Sequence, residues 1–134
     1  MEKTKVFVSW DELESLVNSL AFKIINSEIE FKYIFGLQRG GLIPAVMLSH
    51  KLGIPMTRNE NLPNVLIVDD ICDSGETFTE FYSYYPNSKF ACLHYKPHTS
   101  NFIPNFIAVS FPFDHWIVYP WEREDSKTIQ DYKI

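Results

Sequence analysis

Residues 65–77, VLIVDDICDSGET, constrain the fold of this chain more than any other stretch. Val65, Leu66, Ile67 and Val68 are apolar without alternation, the pattern of a strand covered on both faces and hence of a parallel sheet. The run stops at Asp69-Asp70. Asp73-Ser74-Gly75-Glu76-Thr77 then leads into a helical segment over 78–84. Carboxylates at the carboxyl end of a buried strand stand where open α/β sheets hold their ligands. Ser74, Gly75 and Thr77 offer amides and hydroxyls at the start of the next helix, whose dipole favours an anion. Taken alone, a core strand with a solvated loop, capped and turned by Asp69 and Ser74, explains the same letters.

The rest of the chain alternates in the same way. A short extended lead-in at 6–8 precedes a capping box, Ser9 with Glu12. Leu13, Leu16, Val17, Leu20 and Ile24 then recur at helical spacing to about residue 25. Residues 31–37 read as a strand, Gln38-Arg39-Gly40-Gly41 as a break, and 42–52 as a helix that tolerates Pro44 only in its first turn. A short strand is expected over 55–58, a connection over 59–64, and further strands over 90–95 and 106–111. The fold class expected is α/β, a parallel sheet with helices on both faces, formed by all 134 residues as a single domain. At the turn after the second strand, Gly40 and Gly41 let amides approach a ligand and Arg39 can neutralise an anion. A tight turn bearing a surface arginine is the plainer account of those four residues.

The formal net charge of −5 argues against non-specific binding to nucleic acid or to an anionic membrane. Any polyanion bound by so acidic a chain must meet locally concentrated positive potential, from a few basic side chains, helix ends and a metal ion. Cys72 and Cys92 form neither a disulfide framework nor a zinc spacing, and no run approaches a membrane span. With no apolar signal region after residue 4, a reduced, cytoplasmic setting is expected.

An apolar strand, an acidic pair, two residues and then Asp73-Ser74-Gly75-x-Thr77 resembles the phosphoribosyl pyrophosphate (PRPP) signature of type I phosphoribosyltransferases. Ser74 stands where threonine is commoner. The segment GLQRGGLIPAVMLSHKLGIP, 36–55, resembles the pyrophosphate-binding loop and helix of purine phosphoribosyltransferases, in which the pair at Gln38-Arg39 often has a cis peptide. Lys96-Pro97 and WIVYPWE, 116–122, resemble the base-recognition elements of bacterial xanthine-guanine phosphoribosyltransferases. The resemblance spans about 31–122. It implies a type I phosphoribosyltransferase fold with a small hood over 96–122, and transfer of the phosphoribosyl group from PRPP to guanine, xanthine or hypoxanthine.

Carried over residue by residue, the resemblance gives each position a role. Asp69 and Asp70 would hold the ribose hydroxyls, with Asp70 also the acid beside Mg2+. Asp73, Ser74, Gly75, Glu76 and Thr77 would form the ribose-phosphate loop, Glu76 pointing outward, while Gln38, Arg39, Gly40 and Gly41 would take the pyrophosphate. Lys96 would read the exocyclic oxygen of the base, Trp116 would stack on its ring, Ile117 would contribute backbone, and Asp73 would lie near the purine nitrogen that becomes glycosylated. An oxygen-reading lysine disfavours adenine, whose amino group would meet it donor to donor. A homodimer or homotetramer is usual for the family.

One departure stands out. The long flap that closes over PRPP in such enzymes is reduced to 59–64, and lids of that kind exclude water and complete a site. A non-catalytic PRPP- or nucleotide-binding regulator of the same fold is therefore an alternative, as is a phosphoribosyltransferase for another base. Lys96 and Trp116 argue against a pure PRPP sensor. The lack of a Gly-x-x-x-x-Gly-Lys-Ser/Thr motif argues against a nucleotide hydrolase of the P-loop kind.

Overall fold

The computed structural model describes residues 4–122, so the polar tail at 123–134 lies outside the described residues. The elements are β1 (Lys5–Phe7), α1 (Trp10–Asn26), β2 (Tyr33–Gly36), α2 (Leu42–Leu52), β3 (Val65–Cys72), α3 (Glu76–Tyr84), β4 (Lys89–Tyr95), β5 (Phe106–Ser110) and β6 (Trp116–Val118). The Ser9 hydroxyl caps α1 by accepting from the Glu12 amide at 3.1 Å, as the capping box requires.

The main sheet runs β2-β3-β4-β5, with every pairing parallel. A parallel bridge between Ile34 and Met56 adds one residue of edge on the far side of β2. From β2 the chain therefore passes through α2 to the outer edge, then returns to the other side of β2 as β3. Right-handed crossovers made in opposite directions put their helices on opposite faces. The two cores reflect this. Ala45 and Leu48 of α2 pack with Leu66, Val68, Ala91, Leu93 and the buried face of α1, whereas Phe78 and Phe81 of α3 pack with Val65, Ile67, Phe90 and Cys92. Alternate residues of one unbroken apolar run thus enter two different cores, which is why β3 shows no polar positions until it leaves them. The strand order reverses between β2 and β3, and a crevice opens at their carboxyl ends.

Three expectations are modified. The strand expected at 55–58 shrinks to the single bridge at Met56, flanked by the Ile34 amide donating to Pro55 and the Thr57 amide donating to Ile34. The hood expected over 96–122 divides, because β5 joins the main sheet while β6 pairs in parallel with β1, Val6 opposite Ile117. The hood sheet is therefore built from both ends of the described chain. Finally, β3 does not stop at Val68 but continues through the acidic pair to Cys72, Asp69 standing opposite Cys92 of β4.

Candidate active site

A cavity of about 900 Å3 lies at that crevice, beneath the hood. Its lining brings together the three units singled out in the sequence. Gln38, Arg39 and Gly40 come from the β2–α2 turn. Asp69, Asp70, Asp73, Ser74, Gly75, Glu76 and Thr77 come from the end of β3 and the start of α3. Lys96 follows β4, and Trp116 and Ile117 belong to β6. The Gln38-Arg39 peptide is cis. Glu76 sits exposed at the rim, and its amide donates to the Ser74 hydroxyl at 3.2 Å.

Gly41 is the exception among the expected site residues. It does not line the cavity, and its amide already donates to the Leu37 carbonyl at 2.7 Å. The two glycines are needed for different reasons. A Cβ at Gly40 would overlap the Asp70 carboxylate, whereas a Cβ at Gly41 would overlap the Val68 carbonyl and come within 2.7 Å of the Leu37 oxygen. Side chains yield more cheaply than backbone. Gly40→Ala should therefore cost less stability than Gly41→Ala, which should lose about 3 kcal/mol, and, on the sequence-based expectation that PRPP binds here, should weaken PRPP binding about tenfold by displacing Asp70. Calorimetry with PRPP and urea unfolding of both variants check the split; the reverse assignment of losses would contradict it.

The acidic pair is held rather than merely exposed. The Asp70 amide donates to Asp69 Oδ1 at 2.8 Å, and the Ile71 amide to Asp70 Oδ1 at 2.7 Å. Burial, and then the neighbouring Asp70 charge, push the Asp69 carboxyl well above the usual carboxylate range; burial also raises Asp70. Such a pair favours a cation or hydroxyl donors between its oxygens. Asp73 is half exposed. Its Oδ1 accepts from the Thr99 hydroxyl at 2.7 Å, and its Oδ2 lies 3.7 Å from Lys96 Nζ. Lys96 is 3% exposed and donates to the His115 carbonyl at 2.8 Å, so a buried ammonium with three donors is anchored by two partners on the cavity wall.

Residues 59–64 do not contribute to the cavity. The chain turns back at the level of Ile34, near the start of β2, and Glu60 accepts from the Tyr85 hydroxyl at 3.1 Å beyond the end of α3. The connection thus lies toward the amino ends of the strands, opposite the cavity.

Sequence reasoning missed Thr99, His94 and Tyr119. The first offered no signal beyond an ordinary loop threonine. His94 did: a histidine inside the apolar run of β4 is a buried polar group that needs a partner. Its Nδ1 lies 2.8 Å from the Tyr119 hydroxyl. Burial, and then the Lys96 charge, lower the His94 pKa from 6.5 to about 4. The unfolded chain takes up this proton below about pH 6.5 and the folded chain does not until about pH 4, so stability present above that window is lost as the pH falls through it, by up to about 3 kcal/mol. His94→Gln, which cannot titrate, should flatten the pH dependence of the urea midpoint between pH 6.5 and 4 relative to wild type. Parallel curves would show that His94 is not held neutral. The raised carboxyls of Asp69 and Asp70 act in the opposite sense but are common to both proteins.

No family model matches the sequence. Among individual proteins, a purine phosphoribosyltransferase from Pyrococcus horikoshii superimposes with a TM-score of 0.75 at 31% identity, covering 93% of this chain and 99% of that one. The chain belongs to the purine phosphoribosyltransferase family. Xanthine-guanine phosphoribosyltransferases from Idiomarina loihiensis and Gluconobacter oxydans are each 29% identical, over 87% and 86% of this chain and 86% and 83% of their own. A hypothetical protein from Neisseria gonorrhoeae, solved with bound ppGpp, has a TM-score of 0.78 at 26% identity and covers 93% of both chains. Membership in this family makes the chain a pentosyltransferase of the type I phosphoribosyltransferase fold. Among the described residues no helix is long and apolar enough to cross a membrane, and Cys72 and Cys92 are both free.

Proposed function

We propose that this transferase moves the phosphoribosyl group of PRPP to an oxopurine, namely guanine, xanthine or hypoxanthine, releasing pyrophosphate. The observation that carries this reading is the convergence of three separate units on one cavity, with Lys96 anchored on the wall that faces Trp116 and Ile117. In this reading the ribose hydroxyls lie against Asp69 and Asp70. The ribose phosphate occupies the turn from Asp73 to Thr77 at the amino end of α3, whose N-cap is Gly75. Pyrophosphate lies over Gln38, Arg39 and Gly40. Trp116, 40% exposed, stacks on the base, while the remaining Lys96 donor takes its exocyclic oxygen.

Transfer breaks the bond between the sugar carbon and pyrophosphate oxygen and forms one to a purine nitrogen, whose proton Asp73 accepts. Holding sugar, leaving group and base in line supplies much of the acceleration, and fixed dipoles and charges around the departing pyrophosphate supply more. Asp73 is suited to its part because Thr99 and Lys96 fix its two oxygens toward the base.

Magnesium fits the acidic pair. The donors are all oxygens, and two carboxyls driven upward by burial, Asp69 also by the Asp70 charge, are relieved by a divalent cation. Among the described residues no cluster of three or more ligating side chains exists, which suits an ion that keeps waters and bridges phosphates. Asp70 would hold it, and when bound it neutralises charge on the pyrophosphate. A cytoplasmic setting and a homodimer or homotetramer belong to the same proposal; exposed Phe22 and Ile25 on α1 give a second copy apolar surface to cover, testable by sedimentation.

The test is pyrophosphate release that requires both PRPP and an oxopurine. Release from PRPP alone, or none with any base, would contradict transfer. A second reading has support in the ppGpp complex of the Neisseria relative. A guanine nucleotide with pyrophosphate groups combines the parts that this reading assigns to the cavity, so ppGpp should displace PRPP competitively. Displacement without any turnover of PRPP and base would favour a regulator.

A further inference from the structure

Tyr119 lies where the hood meets the acidic end of β3. Its ring is buried and stacks on Trp121, with centroids 4.8 Å apart and planes within 3°. Its hydroxyl stands 3.1 Å from the Asp70 carbonyl oxygen and 2.8 Å from His94 Nδ1. A carbonyl carries no proton, so the hydroxyl donates to Asp70. A hydroxyl has one proton to give, so the other bond runs the opposite way: His94 carries its proton on Nδ1 and donates to the Tyr119 oxygen. The edge of Phe111, 5.7 Å from the His94 ring, closes the other side.

This short chain of bonds ends on one peptide unit, that between Asp70 and Ile71. The opposite side of the same unit, the Ile71 N–H, donates to Asp70 Oδ1. With Oδ1 held there, Oδ2 is turned toward Gly40, where a Cβ would overlap it. The Tyr119 hydroxyl therefore fixes the plane of the peptide that aims the carboxylate. Tyr119 also directly follows β6, whose Trp116 and Ile117 line the base-facing wall.

We propose that Tyr119, supported by His94, is a positioning residue that aims the Asp70 carboxylate at PRPP. This rests on the reading that Asp70 contacts PRPP. Tyr119 acts through Asp70 and touches no reacting atom.

Tyr119→Phe keeps the ring and its stacking on Trp121 and removes only the bridge. PRPP affinity, measured by calorimetry, should fall about tenfold in this variant, while the KM for hypoxanthine changes less than twofold and thermal unfolding remains cooperative. His94→Leu should weaken PRPP in the same direction but less. The double variant should bind PRPP no worse than Tyr119→Phe, since the two residues act as one chain. Unchanged PRPP affinity in Tyr119→Phe, equal losses for PRPP and base, or additive losses in the double variant would each overturn the proposal. A wild-type protein that fails to bind PRPP would overturn the functional reading and this inference with it. A binding wild type with an equally good Tyr119→Phe variant would overturn this inference alone.

Discussion

Asp70→Asn is expected to lower kcat/KM for PRPP by roughly a hundred- to thousandfold while making the free protein more stable. The two effects have one cause. Asp70 is a carboxyl whose charged form is disfavoured by burial, beside another carboxyl that suffers more. Asparagine keeps an oxygen for the Ile71 amide, so the local backbone is unchanged, and it removes a charge that the free protein holds at a cost. A higher unfolding free energy at neutral pH follows. The same charge is what the ribose hydroxyls and magnesium would use, and losing a charged hydrogen bond together with a metal contact accounts for the rate loss. Activity and stability moving in opposite directions mark a group retained for function. Steady-state kinetics and urea unfolding of one variant check both. A variant that is both less active and less stable would mean that Asp70 serves the fold.

The second large effect is expected at Lys96. Lys96→Met preserves length and removes the ammonium, leaving the His115 carbonyl and Asp73 Oδ2 each short of a partner. Stability should fall by about 1–2 kcal/mol for the unsatisfied carbonyl, the Asp73 part being small because that side chain is half exposed. For guanine, kcat/KM should fall about a hundredfold, whereas PRPP affinity should change no more than two- to threefold. Discrimination against adenine should narrow, because the donor that clashes with its amino group is gone. Equal losses for PRPP and guanine would show that Lys96 only holds the hood in place.

What the sequence made legible was local. The bounds of α2 followed from Gly41 before it and Gly53 after it, and the buried character of β3 from four apolar residues in a row. The three site units could be placed because each sits at a strand end or helix start that its own residues announce. Long-range pairing was not legible. Lys5–Phe7 is three residues long and finds β6 more than a hundred positions away, so nothing local marks it as half of the hood. The strand expected at 55–58 failed for a related reason: an edge strand exists only as far as its neighbour accepts it, and the chain turns away after one bridge. The division of labour between Gly40 and Gly41 depends on what lies 30 and 27 residues further along, Asp70 for one and the Val68 carbonyl for the other. Polar letters also misled at Asp69, where the strand leaves the core for the cavity but keeps its pairing with β4.

The short connection at 59–64 bears on how PRPP is protected from water. Lying at the amino ends of the strands, it cannot cover a site at the carboxyl ends, so an enzyme built this way must limit hydrolysis by its fixed walls and by the order in which substrates bind. Slow hydrolysis of PRPP in the absence of base is consistent with such a site. Fast hydrolysis is not.

Product formation from PRPP and magnesium with guanine, xanthine, hypoxanthine, adenine and uracil in parallel tests the central claim most directly. The expected result is a nucleoside monophosphate and an equal amount of pyrophosphate with one or more of the three oxopurines, and neither with adenine or uracil. Turnover of adenine or uracil instead would contradict the role given to Lys96, and tight PRPP binding with no product from any base would contradict catalysis by this cavity.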